Sequence, residues 1–161
     1  MIPKLLAEME REANTTRKML ERVPDDKFDW KPHAKSMNVR SLATHIAELP
    51  GWVTMAIHTD GLDFAASPYE PRPIQSNAEL MQYFEEMLAD TKNNLANADE
   101  ATFGKTWTLS HGDNVLYEAP KEDVIRMAYS QIVHHRAQMG VYLRLLDVPI
   151  PGSYGPSADE H

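Results

Sequence analysis

At 161 residues the chain has the usual size of one domain and is long enough to bury a substantial core. A formal charge of −8, with 42% hydrophobic and 25% charged residues and no Lys/Arg cluster, argues against nucleic acid or an anionic membrane as a partner; the absence of Cys excludes disulfides, thiolate metal ligands and a cysteine nucleophile. The opening MIPKLLAEMEREANTT has no basic region before an apolar run, and no apolar run reaches the ~20 residues of a membrane span, so a cytoplasmic protein is expected.

The first helix is expected over residues 2–22, because Ile2, Leu5, Leu6, Met9, Ala13, Thr16 and Leu20 form a stripe opposite Lys4, Glu8, Arg11 and Lys18. It stops near Pro24. The following VPDDKFDWKPHAKSMN has no clear period and reads as a loop pinned by Phe28 and Trp30. Ser36 or Asn38 can cap a second helix carrying Val39, Leu42, Ile46, Leu49, Val53 and Ala56 on one face, with a kink or short break at Pro50. Three prolines make the connection over residues 60–74 irregular.

Ser76, with Glu79 three residues later, predicts a capping box at the start of a third helix whose inner face holds Leu80, Phe84, Met87, Leu88, Thr91 and Leu95. Residues 106–109 and 115–117 flank a turn and predict a small hairpin, which at this length must pack on something. The longest helical pattern follows over residues 120–147, with Pro120 in its first turn. The Pro/Gly-rich VPIPGSYGPSADEH cannot continue it. Together these elements predict an all-α four-helix bundle with long connections and a small hairpin before the last helix, residues 1–148, followed by an extended C-terminal tail, residues 149–161.

In a bundle, sites are built from side chains on facing helices. His135 and Gln131 lie four apart, about 40° around one helix, so both can point at one spot. His45 sits on the otherwise apolar face of the second helix and is the third candidate, with Glu48 one turn on as an orienting residue, a partner for Arg136 or a solvated carboxylate. His134, about 100° from His135, faces elsewhere. His111, His33 and His58 read as turn or helix-end residues, and Ser130 as a helix residue bonding its own backbone. Two His and an amide are a weak ligand set beside the usual three His, Cys or carboxylate donors.

The residues Phe28-Asp29-Trp30-Lys31-Pro32, Leu42-Ala43-Thr44-His45-Ile46-Ala47-Glu48, Trp107, and His134-His135-Arg136-Ala137-Gln138 running into Tyr142-Leu143-Arg144-Leu145 resemble the DinB-like superfamily, which includes YfiT-type metal-dependent hydrolases and thiol-dependent transferases. The resemblance implies a site of three histidines, one on the second helix and two spaced by four on the last. Carried over, these fall on His45, His135 and Gln131, and the glutamine is a departure that weakens any divalent nickel or zinc site. It also implies a homodimer and a metal-dependent thiol S-transferase or hydrolase acting on small molecules. With no cysteine in the chain, the thiol would be a small-molecule cosubstrate. The alternative is a noncatalytic, stress-associated binding or interaction bundle whose degenerate site is metal-free.

Overall fold

In the computed structural model, which describes residues 1–160, the chain begins with helix α1, Ile2–Leu20, whose buried residues Leu5, Met9, Ala13, Thr16 and Leu20 repeat every three or four positions. Helix α2, Val39–Glu48, is capped by Asn38, whose side chain accepts from the Ser41 amide at 2.8 Å. The expected break at Pro50 is real: α2 ends, and α3 spans Gly51–His58. The Pro50 carbonyl stays satisfied because Thr91 Oγ1 donates to it at 2.6 Å from the neighbouring helix.

That neighbour is α4, Asn77–Ala96. Ser76 accepts from the Glu79 amide as the capping box requires, but the Glu79 carboxylate reaches one residue further back and accepts from the Gln75 amide at 2.7 Å. Asn77 then ties this end to α1 by donating to the Leu20 and Val23 carbonyls. The last helix, α5, spans Lys121–Leu145. Helices α1 and the broken pair α2–α3 each pack against both α4 and α5, which makes a four-legged bundle of five helices. No helix among the described residues is long and apolar enough to cross a membrane.

The all-α expectation needs correction. The chain is mostly helical, but the hairpin β2, Thr106–His111, and β3, Asn114–Pro120, gains a third strand, β1, Gly61–Asp63, pairing parallel to β2. The prolines of that connection all lie at or after Pro68, so they leave residues 61–63 free to pair. Gly61 permits the close approach, since a Cβ there would lie 2.4 Å from the Thr108 carbonyl oxygen. The hairpin packs as a short hairpin must: Trp107 is fully buried and its indole donates to Thr59 Oγ1 at 3.0 Å. Pro120 ends β3 and precedes α5 rather than lying in its first turn, because it still pairs with Thr106.

Helix α5 ends with Asp147 in the left-handed conformation, φ 58°. The Asp147 amide donates to Arg144 and the Val148 amide to Leu143, the two bonds of a Schellman end. The segment that follows returns to the bundle: Asp159 pairs with Arg144, Ser157 Oγ donates to the Ile150 carbonyl, and the Tyr154 hydroxyl meets Arg136 and Glu12. His161 lies outside the described residues.

Candidate functional site

Of the candidate residues, the bundle brings His45 and His135 together. Their ring centroids are 4.7 Å apart in an edge-to-face arrangement across the α2–α5 packing. Each ring is fixed in the same way from its own helix. Glu48 Oε1 lies 2.6 Å from Nδ1 of His45, and Gln138 Oε1 lies 2.7 Å from Nδ1 of His135. A carboxylate and an amide oxygen accept, so in both histidines Nδ1 is the nitrogen that donates along the helix, and Nε2 is the nitrogen turned away from these partners. Two imidazoles therefore stand side by side, and among the described residues neither Nε2 has a hydrogen-bond partner.

Burial holds the His135 pKa below its ordinary value; the Gln138 contact opposes this, and the neighbouring His45 and His134 add to it. Glu48 does not meet Arg136. It accepts instead from the Tyr69 hydroxyl, 2.9 and 3.0 Å from its two oxygens. Burial, then the charge and hydrogen bond of Glu48, push the Tyr69 phenol above its ordinary pKa, so it remains a neutral donor.

This group opens into three adjoining cavities. One of about 360 Å³ is lined by Met37, Ser41, His45, Glu48, Trp52, Phe64, Tyr69 and Pro71. Another, of about 280 Å³, lies deeper and shares His45, Trp52 and Phe64 while adding Leu109, Met127 and Gln131. The third, of about 370 Å³, runs under the loop after β1 and shares Glu48, Trp52, Phe64 and Tyr69. A larger hollow, about 440 Å³, lies between α5 and the C-terminal segment, away from the histidines. Mostly apolar walls with a few convergent polar groups mark the histidine cavities, not the larger hollow, as the candidate site.

The other candidates fall elsewhere. His134 is exposed, its ring 4.8 Å from that of His135, and it lines a groove with Glu8, Glu12 and Tyr154. Arg136 points to α1 and pairs with Glu12 at 2.7 Å. His111 is exposed at the hairpin turn, His58 ends α3 beside Asn94, His33 accepts from the Lys35 amide, and Ser130 donates to the Arg126 carbonyl. Tyr69, Phe64 and Gln138 were not among the sequence candidates. The first two lie in an aperiodic loop that gives no signal. Gln138 had one: it stands three residues after His135, as Glu48 stands three after His45.

The donor set can be tested against the metal that the family resemblance implies. Among the described residues no group of three or more His, Cys, Asp or Glu is arranged to hold an ion. Gln131 lines a cavity with His45, and His135 stands beside His45, so the residues present would offer an ion two imidazoles and an amide and not three histidines.

Residues 1–161 match the DinB family, and the chain belongs to it. It is 27% identical over 159 residues to the uncharacterized protein YrdA of Bacillus subtilis (strain 168), covering 96% of this chain and 89% of that protein. The crystal structure of the DinB-like protein YjoA of Bacillus subtilis matches with TM-score 0.70 at 17% identity, over 93% of this chain and 97% of that one. A point mutant of the mycothiol-dependent maleylpyruvate isomerase matches with TM-score 0.61 at 12% identity, over 87% of this chain and 61% of that one. At these identities the two structures speak to the fold.

Proposed function

We propose that this chain binds a small organic molecule in the cavities beside His45, and that His45, steered by Glu48, is the group that acts on it. The observation that carries this reading is the 2.6 Å contact between Glu48 and Nδ1 of His45 at the cavity wall. A fixed imidazole with a free Nε2 can accept a proton or hydrogen bond from a bound ligand, as a general base does.

A second reading, metal-dependent thiol transfer or hydrolysis, is favoured by the matching bond between His135 and Gln138, which leaves a second free Nε2 beside the first. His45, His135 and Gln131 would hold the ion, with the glutamine a neutral and weak third donor to nickel or zinc. When bound, a divalent ion lowers the pKa of a thiol or water beside it. The thiol-dependent isomerase among the structural neighbours supports a thiol cosubstrate. We also infer a cytoplasmic homodimer, supported by Val141 and Leu145 on α5, which are 59% and 58% exposed.

The test is ligand-detected NMR of the chelated protein against a library of small molecules, beside His45→Ala and Trp52→Leu, followed by reloading with zinc or nickel. Hits that both substitutions abolish without metal support the first reading. Hits that need near-stoichiometric metal, itself lost in His45→Ala and His135→Ala, support the second. Hits indifferent to all three substitutions contradict both.

A further inference from the structure

The walls of the three cavities share a charge pattern. Among the described residues, histidine apart, their ionisable groups are the Tyr69 phenol and the carboxylates of Glu48 and Glu70, with no Lys or Arg in any of the walls. Arg72, in the covering loop itself, is turned away onto the Tyr83 ring and the Glu86 carboxylate. Arg40 is held by Asp29 and the Ile74 carbonyl over the Phe28 ring. Glu48 has a side chain only 12% exposed, and among the described residues its sole partners are the His45 imidazole and the Tyr69 hydroxyl. An anion entering here would lose water and gain no fixed positive charge. It would also face a largely buried carboxylate.

The aromatic residues complete the pattern. Trp52 and Phe64 border all three cavities and Tyr69 borders two, yet among the described residues these rings form no pair with one another and carry no cation. Among the described residues the contacts between a cation and a ring use arginines of this chain, on Phe28, Tyr83, Phe84, Tyr129 and Tyr154. Unoccupied rings around a carboxylate make the surroundings that attract a weakly hydrated organic cation.

We propose that the ligand of this site is an organic cation, a protonated or quaternary amine with small apolar substituents, held among Trp52, Phe64 and Tyr69 with Glu48 as its counter-charge. The proposal rests on the reading of these cavities as a small-molecule site and adds the ligand's chemical class. The covering loop then has a specific role, since Tyr69 brings both a ring and the hydrogen bond that orients Glu48.

The experiment is calorimetric titration of the chelated full chain with choline chloride, with its neutral isostere 3,3-dimethyl-1-butanol, and with maleate, tryptophan fluorescence being followed in parallel. Choline is expected to saturate one site and quench fluorescence, with the isostere roughly tenfold or more weaker and maleate not binding. Glu48→Gln, which keeps an acceptor for Tyr69 and His45, should weaken choline at least roughly tenfold and leave the isostere unchanged. Trp52→Leu should abolish the quench, and Phe64→Leu should weaken choline binding even if Trp52→Leu does not fold. Equal binding of choline and its isostere, tighter binding of maleate, or indifference of choline to Glu48→Gln would each overturn the cation class while leaving a small-molecule cavity. Failure of all three probes to bind would overturn the cation class, and only an empty library screen would remove the cavity reading as well.

Discussion

His135 and Arg136 are consecutive residues on α5 that meet different neighbours, His45 on α2 and Glu12 on α1, and their surroundings differ in kind. Arg136 is only 2% exposed, and its guanidinium donates to the Glu12 carboxylate and carbonyl, to Thr16 Oγ1 and to the Tyr154 hydroxyl. A buried charge supplied with this many partners is a structural element. His135 has one nitrogen tied to Gln138 and the other free beside His45. Complete pairing fits Arg136 for structure, whereas the ring nitrogen of His135 with no partner among the described residues is what the proposed site would use.

The sharpest way to break that contrast is to truncate both residues. Arg136→Ala leaves the Glu12 carboxylate without its counter-charge, with the Tyr154 hydroxyl still donating to it, and should cost about 3 kcal/mol in denaturant unfolding, whereas His135→Ala should cost about 1 kcal/mol or less. Equal losses would remove the distinction. Gln131→His supplies the missing third histidine, and should raise zinc or nickel affinity at least roughly tenfold by calorimetry with little change in stability. No gain would mean that the Nε2 atoms of His45 and His135 do not converge.

Smaller effects sharpen the same picture. Tyr154→Phe removes one tie of the C-terminal segment to Arg136 and Glu12 and should cost about 1 kcal/mol, seen as faster hydrogen exchange around residues 152–158. Because burial lowers the His135 pKa in the folded chain, the unfolded chain binds more protons just below the ordinary histidine value. Its contribution is therefore intact above about pH 6.5 and is lost as pH falls below that, so His135→Gln should make the decline in Tm toward about pH 5 shallower. Asp147→Gly relieves the left-handed backbone at the end of α5 and should raise stability by no more than about 1 kcal/mol.

Much of this architecture was legible because helices announce themselves by period. The apolar stripes located α1, α4 and α5 to within a few residues, and the proline at position 50 located the break. The Ser76 cap was legible from side-chain chemistry. Strand β1 was not, since three residues carry no measurable alternation and exist as a strand only because β2 lies beside them. The same limit governs the site. His45, His135 and Gln131 were visible as polar residues on apolar faces, while Tyr69 and Phe64 owe their place to the path of a loop. The repeated spacing from His45 to Glu48 and from His135 to Gln138 was present in the sequence, and it is the geometry that gives the pattern meaning.

The central claim is that the surroundings of His45 form a working small-molecule site. It is tested most directly by mapping bound ligands on the metal-free chain with isotope-labelled imidazole and indole signals. The account predicts that ligands shift the Nε2 resonance of His45 and the indole of Trp52, and that His45 shows the tautomer with its proton on Nδ1. Ligands that shift only residues of the hollow beside the C-terminal segment, or a His45 whose proton sits on Nε2, would contradict it.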